Sequence, residues 1–376
     1  MPVDDRTILA IRDECLADDV DILPGMCVWS EDEIFAYFES GGSMRPPDNE
    51  LLLRQINRKW QALGALGQQA VMMPGEARGA ERECYDPRPE ARVRLFVLYG
   101  VADVSMSTSA WIKGAPPWCE VRLVDYPGHG FRFKEPLPTC SEGGVPLDER
   151  ELQSQRAALV DRLTQEIVAA ANGAPFALYG FSFGALIAYH ICVGLQASRD
   201  SPTPICLCVA GRGAPHCAAF SRATCELLSG ADDEGMLEWQ AGGGQFKTST
   251  IPAAMRPRAA RLFRCGMLLG ASPAAEGSLD HALPDAGEPS SFVVQDVHLE
   301  GAPRLAPSCR LAAVGSAADG TWHGDLVARW ADVAAGEDLF RGMTLADVEH
   351  LSLMNHRETM RVCFEEVGRA LLSGVM

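Results

Sequence analysis

The chain has 376 residues, of which 47% are hydrophobic, and its formal net charge is −17. That length suffices for one large hydrophobic core and leaves room for an accessory segment. The negative charge repels polyanions and argues against indiscriminate binding to nucleic acid or to an anionic membrane. The acidic first thirty residues do not resemble a targeting peptide, and no apolar stretch reaches the length of a membrane span.

The 13 cysteines are odd in number and lack the paired spacing of metal ligands. Several sit inside apolar runs, as Cys206 and Cys208 do. This pattern favours reduced thiols, and therefore a cytoplasmic protein without a metal site. We expect a monomer.

The first 88 residues have helical signals and no pattern of a catalytic unit. Ser30 and Glu33 form a capping box. Apolar side chains further on keep helical spacing, namely Leu52, Ile56, Trp60 and Leu63. We therefore predict a helical N-terminal extension and linker over residues 1–88, which either docks on the rest of the chain or forms an independent interaction module.

From residue 89 to residue 376, strand-like runs alternate with helical patterns. The predicted strands cover residues 93–99, 121–126, 176–179, 205–210 and 310–314, with a short candidate at 338–343. Helices are predicted over 152–171 and 183–197, and from about residue 357. This alternation is typical of a mostly parallel sheet with helices on both faces. The region of about 213–307 interrupts it and is interpreted as a lid, with a surface insertion in its last third.

A Gly-x-Ser-x-Gly pattern, with Ser182 between Gly180 and Gly184, joins the third predicted strand to a helix. A strand, a sharp turn and a helix in this order form a nucleophile elbow, in which the glycines make room for a strained serine. The N-terminal end of the helix would favour developing negative charge beside Ser182. An ordinary strand-to-helix turn is the alternative interpretation.

A serine hydroxyl needs a histidine to accept its proton and a carboxylate to orient that histidine. Asp319 follows the fifth predicted strand, and His350 follows the sixth. The order serine, acid, histidine is that of hydrolase sheets, so these two are our candidates. His190, on the helix after Ser182, is more typical of a packed side chain. Alternatively, Asp319 merely ends a strand and His350 merely packs. Asp325 and Asp347 stay open as the acid, and His356 and His323 as the base.

The segment Asp-Tyr-Pro-Gly-His-Gly-Phe-Arg-Phe-Lys-Glu-Pro at residues 125–136 resembles the Leu-Pro-Gly-Arg-Gly-x-Arg-x-x-Glu-Pro signature of type II thioesterases. These enzymes serve polyketide, nonribosomal peptide and medium-chain fatty acid synthesis. Trp111 and Trp330 also match positions where the family often has tryptophan, and the resemblance runs from about residue 95 to the C-terminus. It implies an α/β-hydrolase fold and a reaction that needs no cofactor.

The same resemblance maps Ser182, Asp319 and His350 onto the family triad, and the backbone N–H of Phe183 onto one oxyanion donor. Two positions depart from the family. Residues 99–103 read Tyr-Gly-Val-Ala-Asp where Pro-x-Ala-Gly-Gly is usual, so the second oxyanion N–H would come from Val101. His350 follows Val-Glu where glycines are usual.

The resemblance implies hydrolysis of acyl thioesters carried on the phosphopantetheine of an acyl or peptidyl carrier protein, or on coenzyme A. A carboxylesterase or lipase with the same triad, and a non-catalytic binding protein of the same fold, are the alternatives. Carrier proteins are commonly acidic and need a basic surface to dock on. Four arginines in the lid region could provide it, or could form an ordinary solvated face: Arg256, Arg258, Arg261 and Arg264. The last three recur at intervals of three, so on a helix they would form one basic stripe.

Overall fold

The computed structural model describes residues 88–101, 108, 110–132, 135–137, 149–198, 201–216, 230, 232–242, 256–270, 302–319, 322 and 324–373. Residues 1–87 of the predicted extension at 1–88 lie outside these residues, as does most of the predicted surface insertion.

The described residues form six strands, each overlapping a predicted one. They are β1 Val93–Leu98, β2 Cys119–Val124, β3 Phe176–Phe181, β4 Cys206–Ala210, β5 Arg310–Ser316 and β6 Phe340–Leu345. The second strand ends two residues earlier than predicted. Its prediction ran to Tyr126, whose backbone N–H donates to the hydroxyl of Tyr99 instead of extending the strand.

The strands form one sheet in the order β2-β1-β3-β4-β5-β6, and every neighbouring pair is parallel. Strands β2, β3 and β4 are buried at every position, so both faces of the sheet are covered. The chain runs from β1 outward to β2 and then returns to β3 on the other side of β1. In such sheets, the carboxyl ends of the strands at this reversal border a crevice that holds the functional site.

Seven α-helices lie in the described residues: α1 Ala110–Gly114, α2 Glu149–Ala171, α3 Phe183–Gln196, α4 Asp233–Gly242, α5 Arg256–Gly270, α6 Gly324–Ala328 and α7 Arg357–Leu372. Helices α2, α3 and α7 agree with the predicted helices. Helices α4 and α5 fall in the predicted lid region and pack against each other.

The core of the described residues is one continuous apolar cluster around the sheet. The seven cysteines in these residues are all buried and free. Among the described helices, none is both long and apolar enough to cross a bilayer.

Candidate active site

Ser182 lies in the turn between β3 and α3, where its backbone has φ 50° and ψ −115°. A positive φ is strained for a residue with a side chain and persists only where the surroundings enforce it. The flanking glycines make the turn possible. A Cβ on Gly180 would lie 2.5 Å from the Cα of Ala185, and one on Gly184 would lie 2.6 Å from the carbonyl oxygen of Tyr99.

The structure brings together the three residues that the sequence singles out. The Nε2 atom of His350 lies 3.3 Å from the Oγ of Ser182, and its Nδ1 lies 2.7 Å from the Oδ2 of Asp319. Asp319 is fully buried. With the proton on Nδ1 of His350, this arrangement leaves Nε2 free to accept the hydroxyl proton of Ser182.

Each of these side chains follows a different strand at the carboxyl edge of the sheet. Ser182 follows β3, Asp319 follows β5, and His350 follows β6. Asp319 is held by a second contact, because its Oδ1 accepts a hydrogen bond of 2.9 Å from the backbone N–H of Trp322. The imidazole of His350 packs at 5.0 Å, centroid to centroid, on the ring of Phe181.

The two candidate oxyanion residues follow different strands, Phe183 after β3 and Val101 after β1. Phe183 is the first residue of α3, so its N–H has no acceptor within the helix. Val101 follows β1, and the preceding Gly100 lies against the nucleophile, since a Cβ there would be 3.5 Å from the Cβ of Ser182. Asp103, whose charge would oppose an oxyanion, lies outside the described residues.

The alternative acids and bases have other surroundings. Asp347 is exposed, and His356 accepts a hydrogen bond from the N–H of Glu358 at the start of α7. Asp325 lies in the first turn of α6, and His323 is not among the described residues. In the part of the chain that the structure describes, His350 is the histidine in contact with Ser182.

His190 is half-buried on α3. Burial, together with the nearby charges of Arg156 and Arg212, lowers the pKa of its imidazole to about 4. This supports the sequence interpretation of His190 as a packed, neutral side chain.

The signature turn at residues 125–136 is held by one buried arginine. Arg132 forms ion pairs of 2.7 Å with Glu135 and 3.1 Å with Glu166, and it donates to the carbonyl of Asp125. Gly128 and Gly130 have φ of 78° and 46°, which favours glycine at both positions. Arg132 therefore ties the described part of this turn to α2, which carries Glu166.

Two tyrosines connect this turn to the candidate site, and sequence reasoning did not single them out. The hydroxyl of Tyr99 donates to Asp125, and the hydroxyl of Tyr126 donates to the carbonyl of Tyr99. The ring of Tyr126 packs edge-on against Phe183 at 5.3 Å. A signal exists in the sequence, since both tyrosines are the last residues of predicted strands, but their pairing depends on the sheet order.

Trp111 and Trp330 are fully buried. The indole N–H of Trp111 donates to the carbonyl of Met354, in the segment between His350 and α7. The indole N–H of Trp330 donates to the carbonyl of Arg212, just after β4. Both tryptophans thus fix loops next to the candidate triad.

Helix α5 lies against both candidate oxyanion residues, and we call it the covering helix. A Cβ on its Gly266 would lie 2.7 Å from the Cγ1 of Val101, and one on Gly270 would lie 3.3 Å from the Cδ2 of Phe183. The two glycines are four residues apart, on one face of the helix. Their lack of side chains allows the helix to approach this closely.

The four arginines of the covering helix do not form one exposed stripe. Arg264 is buried and pairs with Asp233 of α4 at 3.3 Å, because its side of the helix packs on that neighbour. Arg258 is half-buried and donates to the carbonyl of Gly128. Arg256 pairs with Glu234, and Arg261 is exposed. The expectation of a shared basic stripe is therefore wrong for Arg264.

The parallel six-stranded sheet, with a strained serine between β3 and α3, defines an α/β-hydrolase fold. The family model described as a thioesterase domain matches residues 109–228, a segment that includes Ser182 and the signature turn. It ends before Asp319 and His350.

Comparison with curated proteins finds the human S-acyl fatty acid synthase thioesterase, medium chain, which is 24% identical over 139 residues. The match covers 37% of this chain and 46% of that protein, so the chain spans less than half the length of this relative.

Solved structures of similar fold include RedJ, a thioesterase from the prodiginine biosynthetic pathway in Streptomyces coelicolor, with 22% identity and a TM-score of 0.50 over 76% of this chain and 92% of that one. The type II thioesterase BorB, from the borrelidin biosynthetic cluster, has 20% identity and a TM-score of 0.54 over 76% and 96%. ClbQ, from the colibactin NRPS/PKS pathway, has 16% identity and a TM-score of 0.55 over 76% and 100%. At these identities the likeness shows the fold, and with the family match it confirms the predicted resemblance to type II thioesterases.

Proposed function

We propose that this protein hydrolyses acyl thioesters, with Ser182 as the nucleophile, His350 as the general base and Asp319 as the orienting acid. The observation that carries the proposal is the chain of contacts from the strained Ser182 through His350 to the buried Asp319, at 3.3 Å and 2.7 Å. The thioesterase-domain match at residues 109–228 supports the choice of substrate class.

In the proposed reaction, the Oγ of Ser182 attacks the thioester carbonyl while its proton passes to Nε2 of His350. The negative carbonyl oxygen is stabilised by the backbone N–H groups of Phe183 and Val101. The C–S bond then breaks, and the imidazolium returns the proton to the leaving thiolate. Water, deprotonated by the same imidazole, then attacks the acyl-serine. The C–O bond to Ser182 breaks, the imidazolium returns its proton to the Oγ, and the carboxylic acid is released.

Asp319 keeps its negative charge throughout. Its Oδ2 favours the tautomer of His350 that carries the proton on Nδ1, and it stabilises the imidazolium that forms during both steps. The second hydrogen bond, from Trp322 to Oδ1, fixes the carboxylate orientation. These residues can therefore supply the complete proton cycle of hydrolysis.

The direct test replaces Ser182 by alanine and measures thiol release from acyl-coenzyme A and from acyl-phosphopantetheine on a carrier protein. We expect loss of turnover in Ser182→Ala and wild-type rates in Ser154→Ala, which removes an exposed serine on α2. Thiol release that persists in Ser182→Ala would refute the proposal. Oxygen esters of the same acyl chains, assayed in parallel, distinguish a thioesterase from a carboxylesterase.

We further propose an acyl or peptidyl carrier protein as the donor of the thioester, docking near the exposed Arg261 of the covering helix. Carrier proteins are acidic, and an exposed arginine offers them a charged contact. Arg261→Glu should raise KM for the carrier-bound substrate and leave KM for acyl-coenzyme A unchanged. The matched control is Arg357→Glu, an exposed arginine on α7. Equal KM values for the carrier substrate in both variants would exclude docking at Arg261.

A further inference from the structure

Arg212 is a buried arginine next to the candidate triad to which sequence reasoning gave no role. It lies two residues after the end of β4 and is 5% exposed. The preceding Gly211, with φ of 58°, passes beside the imidazole of His350, since a Cβ there would lie 3.2 Å from its Cε1. The main chain of Arg212 therefore lies at the edge of the site, and its side chain contacts two other segments.

The guanidinium of Arg212 holds the end of the covering helix. Its Nη2 donates a hydrogen bond of 2.6 Å to the carbonyl of Gly270, the last residue of the helix. The final carbonyls of a helix have no partner within it and carry partial negative charge, so a cation stabilises them. Gly270 also faces Phe183. Arg212 thus fixes the covering helix where it lies over a candidate oxyanion donor.

The same side chain contacts the loop that carries Asp319. The Cζ of Arg212 lies 4.9 Å from the centroid of the Trp322 ring, within the range of a cation–π interaction. The backbone N–H of Trp322 donates to Oδ1 of Asp319. The indole N–H of Trp330 donates to the carbonyl of Arg212. The main chain and the side chain of Arg212 therefore both have bonding partners.

We propose that Arg212 is a positioning residue for the hydrolysis, joining the covering helix above Phe183 to the loop that orients Asp319. The inference rests on the proposed function and adds to it a connection between the oxyanion side and the acid side of the site. Arginine suits this position because its planar group can donate to a carbonyl at its edge while stacking on an aromatic face. The compact ammonium of lysine has no planar face, so it cannot stack on the ring while it donates to the carbonyl.

The test compares Arg212→Met and Arg212→Lys with Arg94→Met. Arg94 is a matched control, because its Nη1 also donates to the last carbonyls of a helix, those of Ala170 and Ala171 in α2. It lies near the amino end of β1, at the opposite edge of the sheet from the candidate triad. Two readouts are measured on the full chain: the rate at which a fluorophosphonate labels Ser182, and amide hydrogen exchange in residues 262–270. The first reports activation of the serine, and the second reports attachment of the covering helix.

We expect Arg212→Met to slow labelling roughly tenfold, as misplacement of an orienting group does, and to increase exchange in residues 262–270. Arg212→Lys should keep more of the helix protection than Arg212→Met but should still label more slowly than the wild type. Arg94→Met should change neither readout. Labelling of Arg212→Met at the wild-type rate would overturn the role of Arg212. If the methionine variant fails to fold, labelling of a folded Arg212→Lys at the wild-type rate would overturn it.

Equal slowing in Arg94→Met would also overturn it, because the effect would then come from general loss of an arginine at a helix end. A wild-type protein that is not labelled at all would refute the proposed function itself. That result is seen before any variant is compared, so the two failures are distinguishable.

Discussion

Replacing Asp319 by asparagine should disable the candidate triad while preserving its shape. The carboxylate oxygens have different partners, since Oδ1 accepts from the N–H of Trp322 and Oδ2 lies against Nδ1 of His350. An amide has only one acceptor oxygen. If that oxygen stays with the N–H of Trp322, the amide NH₂ faces Nδ1 of His350. The imidazole then carries its proton on Nε2, and this nitrogen can no longer accept the proton of Ser182.

The reversed amide would restore the acceptor for His350 but would place the NH₂ group against the N–H of Trp322. Two opposed buried donors cost about 1–3 kcal/mol, so the inactive orientation prevails. Loss of the negative charge beside the imidazolium removes a charge-assisted hydrogen bond of about 1.5–3 kcal/mol. Together these terms raise the barrier by about 2.5–6 kcal/mol, which is roughly a 10²- to 10⁴-fold decrease in kcat.

The assay is thiol release from an acyl-coenzyme A, with kcat and KM measured separately for Asp319→Asn and for Asp325→Asn. Asp325 is the matched control, since it is an aspartate on α6, close in sequence, that was an alternative candidate for the acid. We expect the control to remain near the wild type. A kcat for Asp319→Asn within tenfold of the wild type would refute the assignment of Asp319, and a large loss in Asp325→Asn would favour the other carboxylate.

Three further outcomes are expected from the described contacts. Arg132→Met should lower the free energy of unfolding by about 3–5 kcal/mol, because it leaves carboxylates facing an emptied buried site. Arg162→Met removes a 46% exposed arginine bound to the same two glutamates, and it should lower the free energy of unfolding by less than about 1 kcal/mol. Urea unfolding measures both variants, and equal losses would contradict the role of burial. Gly184→Ala should lower stability by about 1–3 kcal/mol, since its Cβ would lie 2.6 Å from a backbone carbonyl oxygen, and an unchanged urea midpoint would show that the turn can relax. Burial lowers the pKa of His129 to about 4 from its ordinary 6.5. Between these pH values the unfolded chain binds a proton that the folded chain does not, so the free energy of unfolding should fall as the pH drops from about 6.5 towards 4. His129→Gln should make this free energy depend less steeply on pH, and an unchanged slope would show that other groups cause the effect.

Much of the fold could be predicted because its signals are local. The parallel strands are continuous apolar runs, and the turn around Ser182 needs glycines at fixed positions. The proximity of Asp319 and His350 also followed from sequence, since residues after the ends of parallel strands meet at one edge of the sheet. The roles of these residues remain predictions that the experiments above test.

The remaining features depend on which surfaces meet, and periodicity does not contain that information. Helical spacing correctly placed Arg258, Arg261 and Arg264 on one helix, but it could not show that Arg264 turns towards Asp233 of α4. The contacts of Arg212 join segments that are far apart in the chain, from Gly270 to Trp322. Such contacts arise from the packing of the covering helix and leave no pattern in the sequence.

Peptide mass spectrometry after treatment with a fluorophosphonate tests whether His350 activates Ser182, because only a hydroxyl activated by a neighbouring imidazole reacts efficiently with this reagent. We expect one covalent adduct on Ser182 in the wild type, and its loss when His350 is replaced by glutamine. An intact protein that stays unmodified at Ser182, or is modified equally well without the imidazole, would refute the assignment of Ser182 and His350.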